Sequence, residues 1–310
     1  MEFFRKVTKI RFMEKRKIWY AFSAVIMIGS VVLVAVRGLN FGIDFTGGIV
    51  IEAGYSGPAD LERTRAALAQ AGLGAAQVQS FGTAADVLVR LPPAEGKEAM
   101  SLSDRAIEAI KSVDAGAEIR RTEAIGPQVG RELTEKGATA MIMTLLFIGI
   151  YVVMRFQWKF SVGAILAALH DPFLVVGFFA LTQMTFDLAV LAAILAVIGY
   201  SLNDTVVVFD RVRERLLSMR KAPPIEVMNR AINETLSRTL MTSVTTLIVV
   251  VSLLLLGGEA LQGFAVALIV GVIVGTYSSI YVAGAVTLDL GLSQRDLMPP
   301  EKKEEADALP

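Results

Sequence analysis

The chain has 310 residues, is 54% hydrophobic, carries 30 Lys and Arg against 30 Asp and Glu, and contains no cysteine. That apolar content exceeds the usual level for a soluble domain and points to a membrane. Without cysteine, a disulfide framework and a thiolate metal site are excluded; the balanced charge by itself selects no partner, and no nucleic acid is expected.

Residues 1–17 bring Arg5, Lys6, Lys9, Arg11, Lys15, Arg16 and Lys17 ahead of the first apolar run. About 20 helical residues cross ~30 Å of hydrocarbon. The runs near 18–36, 138–154, 160–181, 188–209, 239–256 and 264–288 therefore predict six spans. The first is too long for a signal-peptide core and Val36-Arg37-Gly38 is a poor cleavage site, so 18–37 reads as an uncleaved anchor. Lys and Arg recur at Arg155 and Lys159 and from Arg211 to Arg230, whereas the links Thr182–Asp187 and Gly257–Gly263 have none. By the positive-inside rule both termini are cytoplasmic, 38–133 is a long external segment, and 134–290 carries spans 2 to 6. The polar, charged tail at 291–310, with Pro299-Pro300, is expected to be disordered.

After span 1 comes Phe41-Gly-Ile-Asp-Phe-Thr-Gly-Gly48. A phosphate cradle is disfavoured, because no Lys-Ser or Lys-Thr follows the glycines and no helix is expected to start there. The plainer expectation is a structural turn in which Gly42, Gly47 and Gly48 take unusual backbone angles while Asp44 and Thr46 bond nearby amides. Residues 49–56 read as a strand, and Pro58-Ala59-Asp60 opens a helix to about Gln70. Two short strands follow around "AQVQSFG" and "DVLVRL", then a helix capped by Ser103, then the strand "AEIRRTEAI". The order β-α-β-β-α-β is the ferredoxin-like split pattern, with both helices on one sheet face and the other face left for solvent or a partner.

Several polar residues interrupt the later spans. His170-Asp171, followed by Pro172, stands in the middle of span 3; it fits either a structural polar pair near a kink or a relay. A metal is not expected there, since no second His and no Cys accompanies it. In span 4, Asn203-Asp204 lies about 7.5 Å by helical rise below Phe209, the end of the apolar run. An ionised Asp in hydrocarbon costs ~2.5–3.5 kcal/mol even on the lenient insertion scale, so it must be paired, hydrated or protonated. Arg238 at the start of span 5 offers a partner of similar depth, with Thr242 four residues on along the same face. This is either a structural ion pair or a group that binds and releases a proton as the guanidinium approaches or retreats. Gly271 and Gly275 in span 6 form a seam for close helix packing, with Thr276, Ser278 and Ser279 just beyond. No catalytic set of nucleophile, base and orienting group emerges, so an enzyme is not expected.

Across nearly its whole length the sequence resembles the SecF-type subunits of the bacterial SecD/SecF protein-export complex, relatives of the RND transporters. The resemblance is carried by "FGIDFTGG", "IGPQVGREL", "HD" in span 3, "GYSLNDTVVVFDRVRE", "LSRTLMTSVTT" and "GTYSSIYVA". It implies a polytopic α-helical inner-membrane protein, an RND-like half of six transmembrane helices with an inserted α+β ferredoxin-like periplasmic domain. It also implies SecD, the SecYEG translocon, YajC and the translocating preprotein as partners, within a lipid bilayer and with no cofactor. By the same resemblance Asp204 is the proton-responsive acid, Arg238 its switching partner, Thr242 and Asn203 their neighbours, and the energy source is the proton-motive force. Small-substrate efflux and a purely structural scaffold are the alternatives; few aromatics in 38–133 argue against the first.

Overall fold

The computed structural model describes residues 7–293; the expected disordered tail from Gln294 lies outside the described residues, as do Arg5 and Lys6. Its helices are α1 (Arg16–Arg37), α2 (Ile43–Thr46), α3 (Leu61–Gln70), α4 (Gly96–Val113), α5 (Pro127–Arg155), α6 (Trp158–Thr182), α7 (Leu188–Ser218), α8 (Pro224–Leu256), α9 (Gln262–Ser278) and α10 (Gly284–Asp289). A five-residue π turn, Ser279–Ala283, joins the last two. Six helical stretches are long and apolar enough to cross a membrane, beginning at Met13, Pro127, Trp158, Leu188, Pro224 and Glu259, as six apolar runs required.

Four strands, β1 (Gly48–Gly54), β2 (Gln77–Phe81), β3 (Thr83–Leu91) and β4 (Glu118–Ile125), form one antiparallel sheet in the order β2-β3-β1-β4. With α3 and α4 between them, the chain order is the β-α-β-β-α-β read from the sequence. Alternate residues Ile49, Ile51, Ala53, Val87, Val89 and Leu91 point to the same face, where Leu68 of α3 and Ala106 and Ile110 of α4 complete a buried core. Asp60 caps α3 by accepting from the Arg63 amide at 3.0 Å. The helix expected to begin at Ser103 begins at Gly96 instead, so Ser103 is inside it. Lys97, Glu98, Ala99, Met100 and Leu102 are good helix formers and extend it by two turns.

The bundle has two cores. Around Phe156, Phe160, Phe209, Met13 and Met228 one end is closed, and around Phe179, Phe186, Ile194 and Val175 the other. α1 and α5 keep apolar side chains such as Val25, Ile28, Leu146 and Phe147 exposed, as helices bathed in lipid do. The segment before α1 is strapped to α8, where Asn233 accepts from the Ile10 amide at 2.9 Å and donates to its carbonyl at 2.8 Å. On α9 a Cβ on Gly271 would run into Val197 of α7, a close approach that a residue without a side chain permits.

Candidate functional site: a polar layer across the helix bundle

Polar side chains from five helices meet at one level of the bundle. α6 runs through Pro172 without ending, and its residues just before the proline, His170 and Asp171, are buried. Asp171 has no exposed surface. Its Oδ1 faces His170 Nδ1 at 3.0 Å, and its Oδ2 accepts from the Ser201 hydroxyl of α7 and from the Ser278 hydroxyl of α9, the latter at 2.8 Å. Gly275 makes this meeting possible, since a Cβ there would stand 2.9 Å from Ser201 Cβ and 3.5 Å from Asp171 Oδ2.

The layer continues on both sides of that acid. Tyr277 of α9 stacks obliquely near His170, ring centroids 6.2 Å apart, and its hydroxyl reaches Ser23 of α1 at 2.8 Å. On the opposite side Thr276 meets Ser243 of α8 at 2.7 Å, and the Tyr200 hydroxyl of α7 donates to Ser243 at 3.3 Å. His170 Nε2 is buried without a hydrogen-bond partner beside an apolar cleft of about 550 Å³ between α1, α6 and α9.

One helical turn beyond Ser201 on α7 lies Asp204, 3% exposed. Its Oδ2 is buried with no hydrogen-bond partner, and among the described residues it forms no ion pair. Arg238 of α8, packed against α7, is near enough to act on it through its charge. Arg238 as a residue is exposed. Thr242 donates to the carbonyls of Arg238 and Thr239, at 3.2 and 2.9 Å, so its hydroxyl is occupied by its own helix. Asn203 is exposed, on the other side of α7 from the buried Ser201. Thus Asp204 and Arg238 share a region, whereas among the described residues Thr242 and Asn203 make no hydrogen bond to Asp204. His170 and Asp171 belong to the layer one turn away. Among the described residues no cluster of His, Cys, Asp or Glu could hold a metal ion.

The glycine-rich turn differs from its expected form. A four-residue helix does start there, α2, and Gly42 has an ordinary φ of −70°. Its glycine is required by close approach instead: a Cβ would sit 3.1 Å from Asp187 Cβ. Gly47 and Gly48 do take positive φ, 68° and 128°. Thr46 donates to the carbonyls of Gly42 and Gly47 rather than bonding amides. Asp44 reaches an amide, but a distant one, the N–H of Leu188 at the start of α7 at 2.9 Å.

This turn is one wall of a junction that sequence reasoning missed. Arg90 of β3 projects from the sheet face not covered by α3 and α4, and donates to Asn40 Oδ1 at 3.0 Å, Phe41 O at 3.1 Å and Thr185 Oγ1 at 2.7 Å. Phe41 and Phe186 pair as an isolated bridge. The second sheet face therefore lies over a cleft of about 650 Å³ above the 182–187 and 257–263 links. The alternation of β3 predicts which way Arg90 points but not what it meets, since its partners are 50 and 95 residues away.

The chain matches the family profile described as "Protein export membrane protein SecD/SecF, C-terminal" over residues 105–293, and the "SecD/SecF GG Motif" over 32–59. It is 47% identical over 297 residues to a protein translocase subunit SecF of Vibrio alginolyticus, covering 96% of this chain and 94% of that one. A SecF of Escherichia coli O157:H7 is 41% identical, covering 93% of this chain and 90% of its relative. The crystal structure of SecDF, a translocon-associated membrane protein from Thermus thermophilus, superposes with a TM-score of 0.83 at 36% identity over 91% of this chain. The chain spans 39% of that longer protein.

Proposed function

Since the chain belongs to the SecD/SecF family of protein-export membrane proteins, we propose that it is the SecF half of a Sec accessory complex, coupling proton movement to preprotein export. It is a multi-pass inner-membrane protein. In this reading residues 1–17 and 291–310 are cytoplasmic, 18–37 is the first span, 38–133 the periplasmic domain and 134–290 the remaining spans. SecD supplies the second half of the transporter, and SecYEG, YajC and the translocating preprotein are its neighbours. The chain performs no catalysis of its own and needs no cofactor.

The observation that carries this reading is Asp204, buried on α7 with an oxygen that nothing bonds, beside a helix whose Arg238 stays outside ion-pairing distance. A structural ion pair would be closed, because leaving a buried carboxylate unpartnered costs more than pairing it. An acid whose counter-charge is near but not joined has two states of similar energy, and proton binding shifts between them. One proton crossing 100 mV supplies about 2.3 kcal/mol, enough to move such an equilibrium more than tenfold.

The test is Asp204→Asn in the assembled complex with SecD. Loss of the proton-driven part of preprotein export with assembly intact is expected. Full export by this variant, together with full export by Arg238→Met, would leave a membrane brace without proton coupling.

A further inference from the structure

We propose that Asp171 is a second proton-carrying group, in series with Asp204, and that its charge state sets whether α7 and α9 are both tied to α6. This rests on the proton-coupled reading above and extends it to a residue on another helix.

The geometry is that of an acid with donors but no counter-ion. Asp171 is fully buried in the middle of a membrane-crossing helix, and the described residues place no Lys or Arg in an ion pair with it. On its own helix the titratable neighbour is His170. On the elements packed against α6, α9 brings Tyr277 near His170, the π turn brings Tyr281 with its ring 5.5 Å from that of Tyr277, and α7 brings Asp204 one turn past Ser201. α1 contributes only the Ser23 and Ser30 hydroxyls among its buried polar groups. A net negative charge at this depth is expensive, so the His170–Asp171 pair must at times hold one extra proton.

Taking up that proton changes the bonding. As a carboxylate, Asp171 only accepts, and its Oδ2 receives both the Ser201 and the Ser278 hydroxyls. Once Oδ2 is protonated it must itself donate, so one of the two serines has to turn away or reverse. Ser278 has an alternative acceptor in the Gly275 carbonyl at 3.2 Å, whereas the Ser201 hydroxyl bonds only Asp171 among the described residues. The α9 bond is therefore the one that yields or reverses. Immediately after Ser278 the helix enters the π turn, a place where helical register shifts at low cost. Uptake adds one proton and release removes it, with no other change in the pair.

Placement on α7 puts this site in series with Asp204. Residues three apart on a helix have Cβ atoms roughly 5–6 Å apart, so Ser201, the bond partner of Asp171, adjoins Asp204. Asp171 and Asp204 are thereby linked through Ser201 and one turn of α7.

Asn at 171 keeps the shape of the acid and, with its amide nitrogen in the Oδ2 position, donates toward the serines as the protonated acid does, but it cannot take up or release a proton. The experiment reconstitutes the full chain with SecD in proteoliposomes and follows proton uptake after an imposed pH gradient. Asp171→Asn is expected to lose at least about tenfold of the flux, a factor equivalent to ~1.4 kcal/mol, while co-purifying with SecD as the unmodified chain does. Asp204→Asn is run beside it. If Asp204→Asn abolishes flux and Asp171→Asn leaves it intact, this proposal fails and the coupling role of Asp204 stands. If Asp204→Asn is itself silent, the underlying reading fails. Should Asp171→Asn not assemble, infrared difference spectra of the unmodified complex with His170→Gln decide. A protonated-carboxyl band that titrates and is displaced by that change supports the proposal, and an unchanged band overturns it.

Discussion

Replacing Arg90 by Met should open the junction between the sheet domain and the spanning helices. Arg90 is half-buried, and its guanidinium makes three hydrogen bonds that join β3 to residues 40–41 and to Thr185. A bond to a charged donor contributes ~1.5–3 kcal/mol when buried; partial exposure brings these three below that range, to about 1 kcal/mol each. The summed loss of about 3 kcal/mol corresponds to roughly a hundredfold rise in the open population. Met keeps the aliphatic volume, so packing changes little. The assay is amide hydrogen exchange at Gly42 and Phe186, whose N–H groups bond Phe186 O and Asn40 O, both at 2.8 Å. Protection of those two amides should fall roughly a hundredfold while Val87 and Val89 in the sheet core stay protected. Arg90→Lys should fall in between, because an ammonium cannot reach three acceptors in different directions. Unchanged exchange at Gly42 and Phe186 in Arg90→Met would refute the idea that this side chain holds the junction.

Three further outcomes follow from local geometry. Burial first, and the neighbouring Asp44 charge after it, raise the proton affinity of Asp187. A carboxyl whose folded value lies above its unfolded one stabilises at low pH and loses that contribution as pH rises through the folded value; thermal midpoints of the complex should show this decline, and Asp187→Asn, which still caps α7, should flatten it. Asp114 behaves oppositely: its bond from the Ser56 hydroxyl, then those from the Ser56 and Gly116 amides, hold its carboxyl below the usual range. Its contribution is present above the unfolded value and lost as pH falls through the folded one, so Asp114→Asn should flatten the acid arm of the stability profile. Gly271→Leu should cost at least ~1–3 kcal/mol by forcing α9 off Val197, read as a lower melting temperature in detergent, whereas Gly29→Ala, with nothing within 4 Å of a new Cβ, should be neutral or stabilising.

What could be read in the sequence was what short-range physics dictates. Six apolar runs gave six long helices because hydrocarbon leaves a spanning chain no other way to satisfy its amides. Strand alternation gave the sheet, and Asp60 signalled a helix start because its side chain reaches an amide only three residues away. The errors were of two kinds. Ser103 looked like a cap because Ser commonly is one, yet residues 96–102 form helix readily enough to carry the start two turns upstream. Gly42 looked like a turn glycine, but what demands it is Asp187, 145 residues later, and no local pattern encodes that contact. The same holds at the polar layer. Asp204 stood out because an acid in an apolar run is costly, whereas Ser201 did not and Ser278 read only as an adjunct of a packing seam, since serine is common in spans and becomes informative only when three helices bring it to one carboxylate.

Those long-range contacts converge on α7. At its start Asp187 caps the helix through the Val190 amide at 2.8 Å, and Asp44 from the glycine-rich turn takes the Leu188 amide. Arg90 bonds Thr185 two residues before that cap. Along the same helix Ser201 bonds Asp171, and Asp204 follows one turn later. Sixteen residues separate Leu188 from Asp204, about 24 Å of continuous helix, and its backbone has no proline or positive φ within that length. With no proline to break it, the helix carries displacement along its axis rather than absorbing it at a proline kink. Any displacement of α7 driven at Asp204 must therefore reach the ends of residues 182–187 and, through Arg90 and Asp44, the sheet domain. The glycine-rich turn is thus joined, through Asp44 and in company with Arg90, to the start of the same helix that carries Ser201 and Asp204.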